Sequence, residues 1–199
     1  MIRYFAALFF LQCALLVEAG DLTGIYNYNK GLNKANGTIC FFQIKPDSAF
    51  FYLNNMSGAP DFNLTNLKGF LRIDSNTCTY RKDSCIVNFV INGGVFSAVQ
   101  NARCKNDFSV EGKYKKLNTV LKKPNTWMTE YTEKSGVIST DSAVLYLAPH
   151  PEAKVLMNLP PDTSVKVIDE INGYYLIEIP KKKNEFMWTS KKNVKVAKN

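Results

Sequence analysis

The sequence predicts an all-β protein, and three features carry that prediction. Short runs rich in Phe, Tyr, Val, Ile and Thr, the residues favoured in strands, recur along the chain. Turn-forming Gly, Pro and Asn separate these runs at intervals of roughly 8–12 residues. No amphipathic helix longer than two turns is recognisable after residue 20. The 199 residues are 46% hydrophobic and 13% aromatic, a composition that excludes a disordered or collagen-like chain.

The first 19 residues are predicted to be a secretory signal peptide. Arg3 supplies a positive charge, an apolar run from Phe5 to Val17 follows, and Ala19 ends a small-residue cleavage signal. This run is shorter than the roughly 20 apolar residues that a membrane span needs. No later segment is long or apolar enough. We therefore expect an exported protein, periplasmic or secreted, with no transmembrane segment.

Residues 20–117 are predicted to form a small antiparallel β-barrel or sandwich. The strand that begins at Cys85 alternates apolar and polar residues up to Ile91, which predicts a sheet with one buried face. The turn Asn92–Gly94 predicts a tight hairpin after it. Eight strands are expected in all, namely Leu22–Tyr28, Thr38–Ile44, Ala49–Leu53, Leu67–Ile73, Thr77–Arg81, Cys85–Ile91, Val95–Gln100 and Phe108–Lys115.

Residues 118–135 are predicted to be a linker between two separately built modules. The segment Tyr114–Asn125, which marks this boundary, carries four Lys and Pro124, shows no clean hydrophobic periodicity and could also be an edge strand that leads to the linker. Residues 136–199 are predicted to form a second small β-barrel, whose strands are separated by prolines and by the turn Asn172-Gly173. Its expected strands are Val137–Ser139, Ala143–Leu147, Val155–Leu159, Ser164–Glu170, Tyr174–Ile179, Phe186–Thr189 and Val194–Val196.

Four cysteines remain after the predicted signal peptide: Cys40, Cys78, Cys85 and Cys104. An even number in an exported chain predicts two disulfides. Four cysteines allow three pairings, and the residues alone leave all three open. All four precede residue 118, so the second module is expected to be stable without a cross-link.

Five segments of the second module carry a resemblance to a known family. In chain order they are Ala143–Pro149, Val155–Leu159, Ser164–Ile168, Asn172–Ile177 and Met187–Trp188. With these segments the second module resembles a bacterial SH3-type domain. The resemblance implies an SH3-like small barrel whose loops border a ligand groove. Three departures affect that groove: Tyr146-Leu147 stands where the family has an Arg, Pro160-Pro161-Asp162 replaces the family's Gly-centred turn, and Met187 replaces the Gly before Trp188.

The first module also contains segments that match a known kind of domain. They are Gly24–Tyr26, Cys85–Phe89, Phe96–Gln100, Cys104 and Gly112–Tyr114. With these segments the first module resembles a small exported β-domain of Gram-negative bacteria that has no firm function. The resemblance implies a disulfide between Cys85 and Cys104 across adjacent strands. We then expect Cys40 and Cys78 to form the second disulfide, with two thiols as the open alternative.

Four residues of the second module are the candidate ligand-binding residues: Tyr146, His150, Tyr174 and Trp188. Flat aromatic rings bury much area at small entropic cost, so they suit a groove for a peptide or glycan. Two simpler interpretations stay open. Trp188 could simply close the small barrel without contacting a ligand. His150, which stands between two prolines, could be a solvated loop residue.

The composition favours a binding protein over an enzyme. One His and no nucleophile constellation argue against acid–base catalysis, a metal site or a cofactor. The net charge of +8 favours an acidic partner, and export disfavours nucleic acid. The predicted function is non-catalytic binding of the bacterial cell envelope, through peptidoglycan or an envelope protein, by the SH3-type module.

A periplasmic inhibitor or immunity protein is the alternative. Its target would be a peptidoglycan-degrading enzyme or a toxin, because a small disulfide-linked β-domain makes a rigid plug. The positive charge disfavours basic lysozymes as targets, since like charges repel, and leaves acidic enzymes open.

Overall fold

Two β-sheets make up the computed structural model, which describes residues 21–60, 62–104, 110–118, 134–180 and 186–197. The all-β prediction is confirmed. The predicted signal peptide, residues 1–19, and nearly all of the predicted linker lie outside the described residues. Within the described part of the chain, no helix is long and apolar enough to cross a membrane.

The first sheet is a closed barrel of eight antiparallel strands. Each strand pairs with the next, and β8 returns to pair with β1. Because the barrel is closed, no strand has an edge that is unpaired along its whole length. This distinguishes the barrel from the sandwich that the sequence equally allowed. The strands are β1 (Gly24–Asn29), β2 (Lys34–Lys45), β3 (Ser48–Gly58), β4 (Leu64–Asp74), β5 (Thr77–Lys82), β6 (Cys85–Asn92), β7 (Val95–Gln100) and β8 (Gly112–Asn118).

Aromatic rings fill the interior of this barrel. Tyr26 meets Phe96 edge to face at 4.3 Å between ring centroids, and Phe51 meets Phe89 in the same way at 5.6 Å. Tyr114 is also fully buried, and its hydroxyl donates a hydrogen bond to the carbonyl of Val110 at 3.0 Å. The alternation seen in the sequence delivers these rings to one side of each strand. The interior is therefore a packed core.

The second sheet has seven strands in the order β11-β10-β14-β13-β12-β9-β15. Its own core contains aliphatic residues such as Ile138, Val167 and Ile177, all with no exposed surface. Asn172 and Gly173, both at positive φ, make the predicted turn between two of the strands. The strands are β9 (Lys134–Ile138), β10 (Ala143–Tyr146), β11 (Val155–Leu159), β12 (Ser164–Ile171), β13 (Tyr174–Glu178), β14 (Phe186–Ser190) and β15 (Val194–Val196).

The barrel and the second sheet share a buried cluster, which we call the seam. The barrel contributes the outward faces of β2 and β3. The second module contributes residues of β12, β13 and β14 and of the loop between β10 and β11. Strand β3 is consequently buried on both faces from Ala49 to Asn55. The fully or nearly buried members of the seam are Cys40, Phe42, Phe50, Tyr52, Ala148, Ala153, Ile168, Leu176 and Trp188.

The cysteines divide into one disulfide and two thiols. Cys85 and Cys104 are bonded with their Cα atoms 4.5 Å apart, as the resemblance implied. The expected second disulfide is wrong, because Cys40 and Cys78 are not bonded. The reason is the barrel wall between them. Cys40 belongs to the seam outside the barrel, whereas Cys78 belongs to the core inside it.

Candidate functional site

Two of the predicted ligand-binding residues, Tyr146 and Tyr174, lie together at the edge of the seam. Their ring centroids are 6.0 Å apart and the rings are nearly perpendicular, at 84°. Strand β14 lies between β10 and β13, so both side chains stand over the same central strand. Both are half-buried and pack against the seam cluster. We call this pair the tyrosine rim.

The third predicted residue, Trp188, lies beneath the rim and does not reach the surface. It pairs with Tyr146 across the β10–β14 ladder and has no exposed area. Its indole packs edge to face on Phe50 at 5.5 Å and stacks on Tyr52 at 6.4 Å. Within the described part of the chain, its indole N–H finds no hydrogen-bond acceptor. The outer face of the barrel thus covers the ring that the sequence placed in a ligand groove.

The fourth predicted residue, His150, contacts the barrel rather than the tyrosine rim. Its imidazole lies edge to face with Phe70 of β4 at 6.3 Å. Its Nδ1 accepts a hydrogen bond from the backbone N–H of Glu152 at 3.2 Å and lies 3.8 Å from the carboxylate of the same residue. The side chain is about one-third exposed, at 37%. The structure therefore places His150 against Phe70, a partly buried residue that packs on the seam.

A buried carboxylate that the sequence did not single out forms the polar centre of the seam. Asp169 of β12 is 2% exposed. Its Oδ2 accepts a hydrogen bond from the hydroxyl of Tyr52 at 2.7 Å, and its Oδ1 accepts one from the ammonium of Lys68 at 2.7 Å. Both donors belong to the barrel. Burial first, and then the charge of Asp169, raises the pKa of Tyr52 well above its ordinary value.

One signal in the sequence could have revealed the seam. The runs Cys40–Phe42 and Ala49–Leu53 are continuously apolar instead of alternating. A strand with an uninterrupted apolar run is typically buried on both faces, whereas alternation indicates one solvated face. These runs predict that the barrel must be covered on its outside. They do not identify the covering segment, because Asp169 lies 117 residues away from Tyr52.

Lys191 follows β14 and contacts Tyr175, which lies on the opposite face of β13 from Tyr174. Lys191 lies 3.1 Å from the carboxylate of Glu170 and 5.1 Å from the centroid of the Tyr175 ring. Burial, and then Tyr146, raises the pKa of Tyr174, so Tyr174 carries no charge near neutral pH. The tyrosine rim therefore offers apolar and stacking contact. It offers no acid–base pair at this position.

No cluster suited to a metal ion occurs among the residues that the structure describes, where His, Cys, Asp and Glu never form a group of three or more.

Comparison with known proteins finds no relative of this chain. No family model, no curated protein and no solved structure matches the chain.

Proposed function

We propose that this chain is a non-catalytic, exported protein that binds the bacterial cell envelope through the tyrosine rim. In this proposal, residues 136–199 form an SH3-type barrel and residues 20–117 form the disulfide-containing module. The observation that carries the proposal is the half-buried pair of Tyr146 and Tyr174, 6.0 Å apart. Rings already held by packing lose little conformational entropy when a ligand covers them.

The charge of the chain supports an anionic envelope component as the partner. The net charge is +8, so the chain as a whole attracts anions. Bacterial peptidoglycan carries carboxylates on its peptides, so attraction between the protein and the wall would raise the rate of encounter. Salt screens such attraction over about 10 Å at 0.1 M ionic strength. We expect the affinity to fall as salt increases.

The test is sedimentation of residues 20–199 with purified peptidoglycan at low salt. We expect the unmodified protein to co-sediment and the double variant Tyr146→Ala, Tyr174→Ala to bind about tenfold more weakly or worse, since each lost aromatic contact is worth about 1 kcal/mol. The variant Tyr146→Phe, Tyr174→Phe keeps both rings and should bind normally. The variant Leu32→Ala, at a residue 90% exposed on the barrel, is the matched surface control.

Two results would overturn the proposal. One is an unmodified protein that does not co-sediment at low salt. The other is an alanine double variant that melts at the normal temperature and still binds normally, because the rim would then play no part in binding.

A periplasmic inhibitor or immunity protein is the second candidate. The seam favours it, since the buried contacts of Tyr52 and Lys68 with Asp169 hold the barrel and the second sheet in one arrangement. A pre-organised surface of that kind suits tight inhibition. Stoichiometric inhibition of an acidic peptidoglycan hydrolase, without binding to peptidoglycan itself, would favour this function over the first.

A further inference from the structure

A cleft on the barrel, formed by other residues than the tyrosine rim, lies where β4 runs past the turn between β5 and β6. Its volume is about 420 Å³, within the range of small-ligand pockets. It combines an apolar floor, an aromatic ring and two cations. The lining residues are Asn66, Leu67, Tyr80, Lys82, Asp83, Ser84, Cys85 and Arg103.

One wall of this cleft is a strand edge. The ladder between β3 and β4 covers Leu64 to Arg72, whereas the ladder between β4 and β5 covers only Arg72 to Asp74. Within the part of the chain that the structure describes, β4 therefore has no register partner on its β5 side from Asn66 to Leu71. An open strand edge presents backbone donors and acceptors at the spacing that another extended chain can match.

Gly69 of β4 makes room for the aromatic wall of the cleft. A Cβ atom built on this glycine would lie only 2.7 Å from Cε2 of Tyr80. The Tyr80 ring thus lies directly against the β4 backbone, where a larger residue would displace it. The ring itself is nearly buried, at 7% exposure, which gives the cleft a fixed side.

Positive charge dominates the other side of the cleft. Lys82 and Arg103 both line it, against the single carboxylate of Asp83. Among the described residues, no acidic side chain forms an ion pair with Lys82 or Arg103. Two cations facing one cleft favour a ligand that carries a carboxylate, because a charge-assisted hydrogen bond is about twice as strong as a neutral one.

A rigid frame holds this cationic side in place. The disulfide between Cys85 and Cys104 joins the first residue of β6 to the segment after β7. Asn101 adds a second tie, since its side chain donates to the carbonyl of Ser84 at 3.1 Å and accepts from the N–H of Ile86 at 3.1 Å. A framed site binds with less ordering cost than a loose one.

We infer that this cleft binds an extended peptide segment that carries a carboxylate. The peptide backbone pairs with the open edge of β4, and the carboxylate lies between Lys82 and Arg103. Backbone pairing supplies affinity and the cations fix the direction and register of the peptide. This inference goes beyond the proposed function and does not depend on it, because none of the cleft residues belongs to the tyrosine rim.

The probe for this inference is the tetrapeptide acetyl-Thr-Val-Thr-Val with a free carboxylate, titrated into ¹⁵N-labelled protein of residues 20–199. We expect saturable amide shifts confined to Asn66–Gly69 and the turn Asp83–Cys85. The same peptide with a carboxamide end should bind at least about tenfold more weakly, the loss expected for one charge-assisted hydrogen bond. A peptide N-methylated at alternate residues should not bind, because it cannot complete a ladder.

Paired variants separate the cleft from the general positive charge of the protein. Lys82→Gln with Arg103→Gln should weaken the carboxylate peptide at least about tenfold. Lys113→Gln with Lys195→Gln removes the same charge from β8 and β15 and should leave binding unchanged.

Three results would overturn the inference: no shifts at millimolar peptide, equal affinity of acid and carboxamide, or equal loss in both double variants. None of these results would contradict the proposal that the tyrosine rim binds peptidoglycan.

Discussion

The barrel interior and the seam bury similar aromatic side chains in different chemical settings. The interior contains rings contributed by the barrel alone, whereas the seam takes rings from both sheets and encloses the carboxylate of Asp169. The interior therefore uses side chains of the barrel alone, from Leu22 to Tyr114. The seam exists only when both sheets are in place, because Phe50, Tyr52 and Trp188 would otherwise face water.

Phe50 and Phe51 provide the sharpest form of this comparison. They are adjacent on β3 and both have no exposed area, yet Phe51 points into the barrel and Phe50 into the seam. Phe51→Ala should lower the free energy of unfolding by about 3–5 kcal/mol, the usual result of emptying an aromatic core position. We expect the amides of β5, β6 and β7 to lose hydrogen-exchange protection in this variant.

Phe50→Ala is the matched control for that experiment. It removes the same ring from the seam, so β5, β6 and β7 should keep their protection while β13 and β14 lose theirs. Equal loss of protection across both sheets in the two variants would show that the interior and the seam unfold as one cooperative unit.

Asp169 is the next test, with a smaller expected effect. Asp169→Ala leaves the Tyr52 hydroxyl without its acceptor and Lys68 without its counter-charge. We expect a loss of about 2–3 kcal/mol in unfolding free energy, below the full value for a buried pair because the Lys68 side chain is 27% exposed. Urea unfolding of the single variants and of Asp169→Ala with Tyr52→Phe forms a double-mutant cycle.

The cycle shows whether Tyr52 and Asp169 stabilise the protein jointly or only lie close to each other. A coupling energy between Tyr52 and Asp169 of about 1 kcal/mol or more is expected from a buried hydrogen bond to a charged group. Strictly additive effects would mean that this bond contributes nothing to holding the two sheets together.

The reaction rates of the two thiols test the barrel interior and the seam separately. This test has the smallest expected effect. Burial raises the pKa of Cys40 and of Cys78 to about 12, so neither forms a thiolate near neutral pH in the folded protein. Both should react slowly with a thiol reagent at pH 8. In Asp169→Ala, Cys40 should react about 30-fold faster, as a 2 kcal/mol weaker seam implies. Cys78 should keep its rate, and equal acceleration of both thiols would contradict the separation of the two regions.

Much of the fold could be predicted from local patterns. The hairpin at Asn92–Gly94 is present, with Gly93 and Gly94 at positive φ, because the tight turn needs residues that adopt that conformation freely. The alternating strand from Cys85 to Ile91 indeed turns Val87 and Phe89 inward. The candidate site was harder to predict. Tyr146 and Tyr174 are paired, yet Trp188 is covered and His150 contacts Phe70.

The sequence by itself determined the all-β class, the strands and the apolar faces. These depend on side-chain alternation and turn residues, which act over a few neighbouring positions. Only the tertiary structure decided what covers the second apolar face of β3, why Cys40 and Cys78 lie apart, and how Lys68 and Asp169 meet across 101 residues of chain. Such contacts depend on where distant segments come together in space. Because an apolar face can be buried by any partner of suitable shape, local sequence cannot name the one that buries it.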